Sequence, residues 1–206
     1  NEGETLDNLN DQYPGLFLLS EGKISDYYIN NKGKRNWAMQ IEILHGKTGT
    51  GKSYTANNAY PDAYVAPWPT GGRWWWPHYK GEEVVIMDEF RHQIKMDTML
   101  KLFDRYPWII ERKGGNMNFC SKKIVITTNI DPKDWYGGLS KEVREPLRRR
   151  IQEYAKIYDF HDNKCWPNFD KTMRTEPFVF NEKKDENCVP RFDFRKAEGT
   201  WDAYSN

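Results

Sequence analysis

Along the chain, apolar positions gather into short runs separated by glycine, proline and charge, and the spacing within the runs changes from segment to segment. Residues 1–36 are polar and mixed, with one apolar patch, "YPGLFLLS" (Tyr13 to Ser20), and a basic stretch, "KGKR" (Lys32 to Arg35); they predict a small helical appendage and linker. The pattern breaks at "NWAMQIEILHG", where Met39, Ile41, Ile43 and Leu44 form an apolar strand running straight into a glycine-rich turn. "KSYTANNAY" then has a helical pattern, and "DAYVAP" predicts a short strand closed by the turn at Pro67 and Pro69. The run "EEVVIMD" (Glu82 to Asp88) is continuous, as in strands buried on both faces of a parallel sheet.

Farther on, "DTMLKLFDRY" sets Met99, Leu100 and Phe103 at helical spacing, with Asp97 as the expected N-cap and Pro107 as the stop. "WIIERKGGNMNFCSKKIVITTN" holds two strands around a Gly-Gly turn, a hairpin with its tip at Lys113 to Asn118, and continues into the β-branched strand "KIVITTN". "LSKEVREPLRRRI" predicts an amphipathic helix interrupted by Pro146, and "YAKIYDF" a last strand. No period emerges over 161–206, so a C-terminal extension of irregular order is expected. Strands alternating with helices over 37–160 predict an α/β domain of three layers around a mainly parallel central sheet.

Composition narrows this picture. With 206 residues, 38% hydrophobic and 30% charged, the chain has apolar material for one principal core plus appendages. No apolar run approaches bilayer length, so no membrane partner is expected. A net charge of +1 does not by itself mark a nucleic-acid binder, so that case rests on local clusters. The three cysteines are odd in number and widely spaced, which argues against a disulfide framework and for a soluble protein of a reducing compartment. His161 and Cys165 lack a second ligand pair, so they are read as a loop histidine and an inert thiol. Asn1 opens the chain and no charged-then-apolar leader follows, the expected look of a piece excised from a longer, non-secreted protein.

The chemistry concentrates in a few places. "GKTGTGKS", Gly46 to Ser53, matches G-x-x-x-x-G-K-[ST] in full and stands after a strand and before a helix. In such a loop the backbone of Gly46, Lys47, Thr48, Gly49, Thr50 and Gly51 curls round phosphates, Lys52 reaches the β and γ phosphates, and Ser53 ligates Mg²⁺. ATP and Mg²⁺ are therefore the expected cofactors. Asp88, at the end of its buried strand, suits the Mg²⁺ shell, and Glu89 suits polarisation of an attacking water; the alternative is that both cap the strand. Asn129 ends another buried strand, where an amide either contacts the γ-phosphate or lytic water or forms a turn. "PLRRRI" is either a functional arginine cluster or a solvated helix face, and Lys113 at the hairpin tip either contacts a ligand or serves solubility. The run Trp74 to Trp76, upstream of the acidic pair, either packs and fixes a loop or stacks on bases.

Taken in order, these motifs resemble the superfamily 3 helicase domain of the replication initiator (Rep) proteins of circular single-stranded DNA viruses, circovirus-like in particular, over about 37–160. "GKTGTGKS" is similar to Walker A, "GEEVVIMDEF" to Walker B, "DRYPWIIERKGG" to the B-prime hairpin and "IVITTNIDPKDWY" to motif C with its sensor asparagine. The resemblance implies a P-loop NTPase of AAA+-like architecture, commonly a hexameric ring with ATP between subunits and a hairpin from each subunit gripping single-stranded DNA in a central channel. By the same resemblance Lys113, with Gly114 and Asn116, is the DNA contact, and Arg150 is the finger acting on a neighbour's nucleotide, Arg149 being second choice. It further implies residence in the host nucleus and a nicking endonuclease domain N-terminal in the full-length protein. The domain's paired histidines are absent here: His45, His78, His92 and His161 are isolated, so this chain is not expected to nick DNA. Residues 1–36 correspond only loosely to the family's oligomerisation region, and 161–206 have no counterpart.

The resulting function is an ATP-dependent single-stranded DNA translocase and helicase. Two other classes share the P-loop. A small-molecule kinase would need an arginine-bearing lid and an acceptor pocket, neither of which appears between Asp62 and Gly81. A nucleotide-controlled assembly or DNA-binding module would not need Lys52, Asp88 and Glu89 together.

Overall fold

The computed structural model describes residues 6–16, 18, 20, 23–24, 27, 33–112, 115–161, 171–175 and 178. Helix α1 (Leu6–Gln12) belongs to the N-terminal segment. The main domain is built on β1 (Gln40–Gly46), α2 (Lys52–Ala59), β2 (Tyr64–Val65), β3 (Val84–Phe90), α3 (Met96–Phe103), β4 (Ile109–Arg112), β5 (Gly115–Asn118), β6 (Lys123–Thr128), α4 (Lys141–Tyr154), β7 (Ala155–Phe160) and β8 (Lys171–Met173).

Six of these strands form one sheet in the order β2-β3-β6-β1-β7-β8, parallel except for the β7–β8 pair. The α/β class read from the sequence, with a mainly parallel central sheet, is therefore the observed one. Period-two alternation divides its side chains into two buried clusters. Ile41, Ile43, Val85, Met87, Ile124 and Ile126 pack with Met99, Leu102 and Phe103 of α3 and Leu147 and Ile151 of α4. Leu44, Ile86 and Val125 pack with Ala56 of α2. The helices thus take opposite faces, which gives three layers.

β6 lies between β1 and β3, with Gln40 and Val84 both in register with Lys123. Three strand ends that are far apart in sequence, at Gly46, Asp88 and Asn129, are thereby brought side by side at the carboxyl edge of the sheet, where open α/β sheets bind ligands.

Several local expectations are corrected. Asp97 does not cap α3: the helix starts two residues earlier, at Met96 behind Lys95, leaving Asp97 in the first turn beside the positive helix end. Pro146 does not interrupt α4, which runs unbroken for 14 residues behind the Ser140 cap. Pro146, sixth in the helix, removes one intrahelical donor, and the burial of Leu147 and Ile151 in the core offsets that loss and holds the surrounding turns. Arg35, in the basic stretch assigned to the linker, is 1% exposed and donates to the carbonyls of Lys101, Leu102 and Tyr106 at the end of α3. Carbonyls at and just beyond a helix end are short of N–H partners, that of Lys101 keeping only a long bond of 3.4 Å from the Asp104 N–H, so the guanidinium closes the helix; burial lowers its pKa to about 10. Within 161–206, Lys171–Met173 pairs antiparallel with β7 as an edge strand.

Behind that strand, Arg174 donates to Asp159 Oδ1 at 2.6 Å and to Asp131 Oδ1 at 2.8 Å, and His45 Nδ1 lies 2.6 Å from Asp159 Oδ1. Burial would raise both carboxyls, but hydrogen bonds from Arg174 hold Asp131 and Asp159 below the ordinary carboxylate range. This cluster joins the ends of β1 and β7 to the loop after β6.

The three consecutive tryptophans separate by direction. Trp76 is 1% exposed, its ring 5.5 Å from Phe119 and 6.0 Å from Trp108, and Trp74 leans on it at 4.7 Å. Trp75 carries the Arg73 guanidinium at 5.6 Å from its ring centre. Packing therefore accounts for Trp74 and Trp76. The block is also bonded to the hairpin, since the Trp76 N–H donates to the Glu111 carbonyl of β4 at 2.9 Å.

Candidate active site

The loop between β1 and α2 is built by glycine where no other residue fits. A Cβ on Gly46 would run into the Phe160 carbonyl oxygen, and Gly51 sits at φ 87 immediately before α2, in the left-handed region that other residues avoid. Thr50 Oγ1 donates to the Lys47 carbonyl at 2.8 Å and braces the turn. Lys52, 7% exposed, donates from Nζ to the carbonyls of Gly46 at 2.8 Å and Lys47 at 2.6 Å. Burial pulls its ammonium below the ordinary value, while Asp88 and Glu89 draw it back.

Opposite the loop, Asp88 Oδ1 accepts from Ser53 Oγ at 2.6 Å and from Thr127 Oγ1 at 2.7 Å. The next residue departs from the strand: β3 shifts register between Met87 and Phe90, and Glu89 sits at φ 55. That bulge turns Glu89 out of the ladder to the rim of the cavity. Its N–H donates to Thr127 Oγ1 at 2.8 Å, and its carboxylate accepts from Arg91 Nη2 at 3.0 Å in an exposed pair. Exposed pairs of this kind are worth about 0–1 kcal/mol, so the carboxylate parts easily from Arg91. Across the cavity, Asn129 Nδ2 donates to Thr48 Oγ1 at 2.9 Å.

The result is one cavity of ≈ 280 Å³ lined by Thr48, Gly49, Gly51, Lys52, Ser53, Tyr54, Glu89, Thr127 and Asn129. It combines a loop of backbone amides, an ammonium and a hydroxyl–carboxylate pair, with a second carboxylate and an amide on the rim. Hard oxygen donors such as Ser53 Oγ and Asp88 Oδ1 suit Mg²⁺, and the loop with Lys52 suits phosphate.

Arg150 is not brought to this cavity. It lies on α4 with Nη2 donating to Asp104 Oδ2 at 2.8 Å, and Arg149 is exposed. Asn116 is exposed on β5, paired in register with Glu111. Lys113 and Gly114 lie outside the described residues.

Two participants were missed by sequence reading, Thr127 and Arg91. Thr127 is one residue in a β-branched strand, and only the strand order brings its hydroxyl between Asp88 and Glu89. Arg91 follows Glu89 by two positions, a spacing with no meaning until the bulge is known.

Comparison with known proteins agrees with this geometry. The family described as RNA helicase matches residues 43–130, from β1 to just beyond Asn129. The replication-associated protein of porcine circovirus 2 is 34% identical over 152 residues, 73% of this chain and 48% of that protein. That of porcine circovirus 1 is 40% identical over 120 residues, 57% of this chain and 38% of the relative. That of a human-associated cyclovirus is 34% identical over 136 residues, 62% and 47% of the two chains. This chain spans less than half the length of these relatives. With its P-loop sheet and these relatives, the chain belongs to the family of replication initiator (Rep) proteins of circular single-stranded DNA viruses, in their superfamily 3 helicase domain.

Proposed function

We propose that this chain is the ATP-driven motor of a viral replication initiator, hydrolysing ATP to move along single-stranded DNA and separate strands. One observation carries this reading: Lys52, the Ser53–Asp88 pair, Glu89 and Asn129 converge on one cavity at the carboxyl edge of three adjacent strands. Lys52 binds the β and γ phosphates. Ser53 and Asp88 would hold Mg²⁺, which when bound would supply positive charge against the phosphate oxygens. Glu89 accepts a proton from the attacking water, and Asn129 orients that water or the γ-phosphate.

Arg150 completes the site of a neighbouring subunit in a ring, most simply a hexamer, after leaving Asp104. The β4–β5 hairpin, through Lys113, Gly114 and Asn116, holds the DNA backbone. Domain limits at 36/37 and 160/161, a separate nicking domain and residence in the host nucleus complete the proposal. The backbone bond from the tryptophan block to β4 supports a hairpin that moves with the ATPase core.

Strand displacement tests it. The chain should release a labelled strand from a forked DNA duplex only with ATP and Mg²⁺. Displacement from RNA duplexes alone would assign the motor to RNA, and phosphorylation of a small acceptor would replace it with a kinase.

A further inference from the structure

The peptide joining Asp88 to Glu89 is held by side chains. Because β3 leaves its register there, its polar groups lose ladder partners. The Glu89 N–H is taken by the Thr127 hydroxyl at 2.8 Å, and the Asp88 carbonyl accepts from the Trp68 indole Nε1–H at 2.8 Å. The following carbonyls, of Glu89 and Phe90, accept from Gln93 Nε2 at 2.8 Å and Thr128 Oγ1 at 2.9 Å. Glu89 occupies the left-handed region without being glycine, a conformation that persists only where its surroundings enforce it.

Trp68 comes from a different part of the chain from the other three. It lies in the loop after β2, half-buried, with its ring 5.8 Å from Phe90. The loop is itself pinned: Trp74 Nε1 donates to the Pro67 carbonyl at 2.5 Å, next to Trp68, and Trp76 is bonded to β4. The indole therefore reaches Asp88 from a braced position.

We infer that Trp68 is a positioning residue for ATP hydrolysis, its indole N–H fixing the Asp88–Glu89 peptide in the bulge that presents the Glu89 carboxylate to the cavity. The inference rests on the proposed role of Glu89. Trp68 does not line the cavity, so it acts on turnover and leaves nucleotide binding alone. Without its partner the Asp88 carbonyl can rotate, and the left-handed conformation of Glu89 relaxes toward the extended strand.

The test compares Trp68→Phe, which keeps a ring against Phe90 and removes the N–H, with replacement of the indole by isosteric benzothiophene through an unnatural amino acid. In both, kcat should fall about tenfold with KM for ATP within about twofold of the parent. Trp68→Phe in a Glu89→Gln background should cost nothing further, since Trp68 acts through Glu89; a merely structural residue would give an additional loss. Unchanged kcat in the benzothiophene variant, or KM rising as kcat falls, overturns the inference. If Glu89→Gln turns over normally, the reading of Glu89 fails and this inference with it. A Glu89→Gln variant cut to a small residual rate beside a fully active benzothiophene variant overturns the inference alone.

Discussion

Ser53 Oγ lies 2.6 Å from Asp88 Oδ1, so the first turn of α2 and the end of β3, separated by 35 positions, present one hydroxyl and one carboxylate to the same point. Their chemistry fits a single hard cation. Ser53→Ala and Asp88→Asn should each raise the Mg²⁺ needed for half-maximal ATP hydrolysis about tenfold or more, because the first removes the hydroxyl ligand and the second the carboxylate's negative charge. A Mg²⁺ titration checks this, and unchanged midpoints would count against a shared metal.

Thr127 touches both carboxylate-bearing residues, accepting from the Glu89 N–H and donating to Asp88. Thr127→Val should lower kcat about ten- to a hundredfold with nucleotide affinity kept, and Thr127→Ser should restore most of it, because the hydroxyl and not the methyl makes both bonds. Fluorescent-nucleotide binding beside steady-state kinetics separates the two quantities.

Gly46, Gly51 and Lys52 were legible in the sequence because a phosphate loop is a local device: its turns and its lysine lie within eight consecutive residues. β1, β3 and β6 were legible because buried strands are apolar runs. Thr127 and Trp68 were not, since their partners are set by strand order and by a bulge that no local pattern encodes. Arg35 looked like part of a basic linker because capping by a distant arginine leaves no periodic trace. β8 escaped because a three-residue edge strand is too short to show alternation.

Arg150 and Asp104 form a mostly buried pair within one chain, with side-chain exposures of 16% and 24%. If Arg150 serves a neighbour's nucleotide, Arg150→Ala should reduce turnover about a thousandfold while each subunit still binds ATP, and Asp104→Asn should leave turnover largely intact. Mixing Arg150→Ala with Glu89→Gln subunits, once exchange is shown by labelled mixing, should restore part of the activity. Equal thermal destabilisation by Arg150→Ala and Asp104→Asn with normal turnover in both would make the pair purely structural.

The Arg174 cluster should set acid stability. Burial raises the carboxyls of Asp131 and Asp159, but hydrogen bonds and charge from Arg174, joined by the Lys133 N–H at Asp131 and by His45 at both, together bring them down, so their folded-state pKa values lie below the unfolded ones. Their stabilisation is complete above the unfolded carboxylate pKa and is lost as pH falls through the folded values. Arg174→Met leaves one buried and one half-buried carboxylate without their arginine and should cost about 3–5 kcal/mol, lowering Tm by roughly 10 °C near neutral pH. The difference from the parent should shrink as the solution is acidified, which thermal melts across pH measure.

The central claim is that this cavity turns over ATP in response to single-stranded DNA held by the β4–β5 hairpin. It is tested most directly by steady-state ATP hydrolysis with and without single-stranded DNA, in the parent chain and in Lys113→Ala. Mg²⁺-dependent turnover should rise when DNA is added, and the Lys113→Ala variant should keep its basal rate, bind DNA more weakly and show a shallower dependence of log K on log salt. Turnover indifferent to DNA, or an unchanged salt slope with full stimulation in Lys113→Ala, would contradict it.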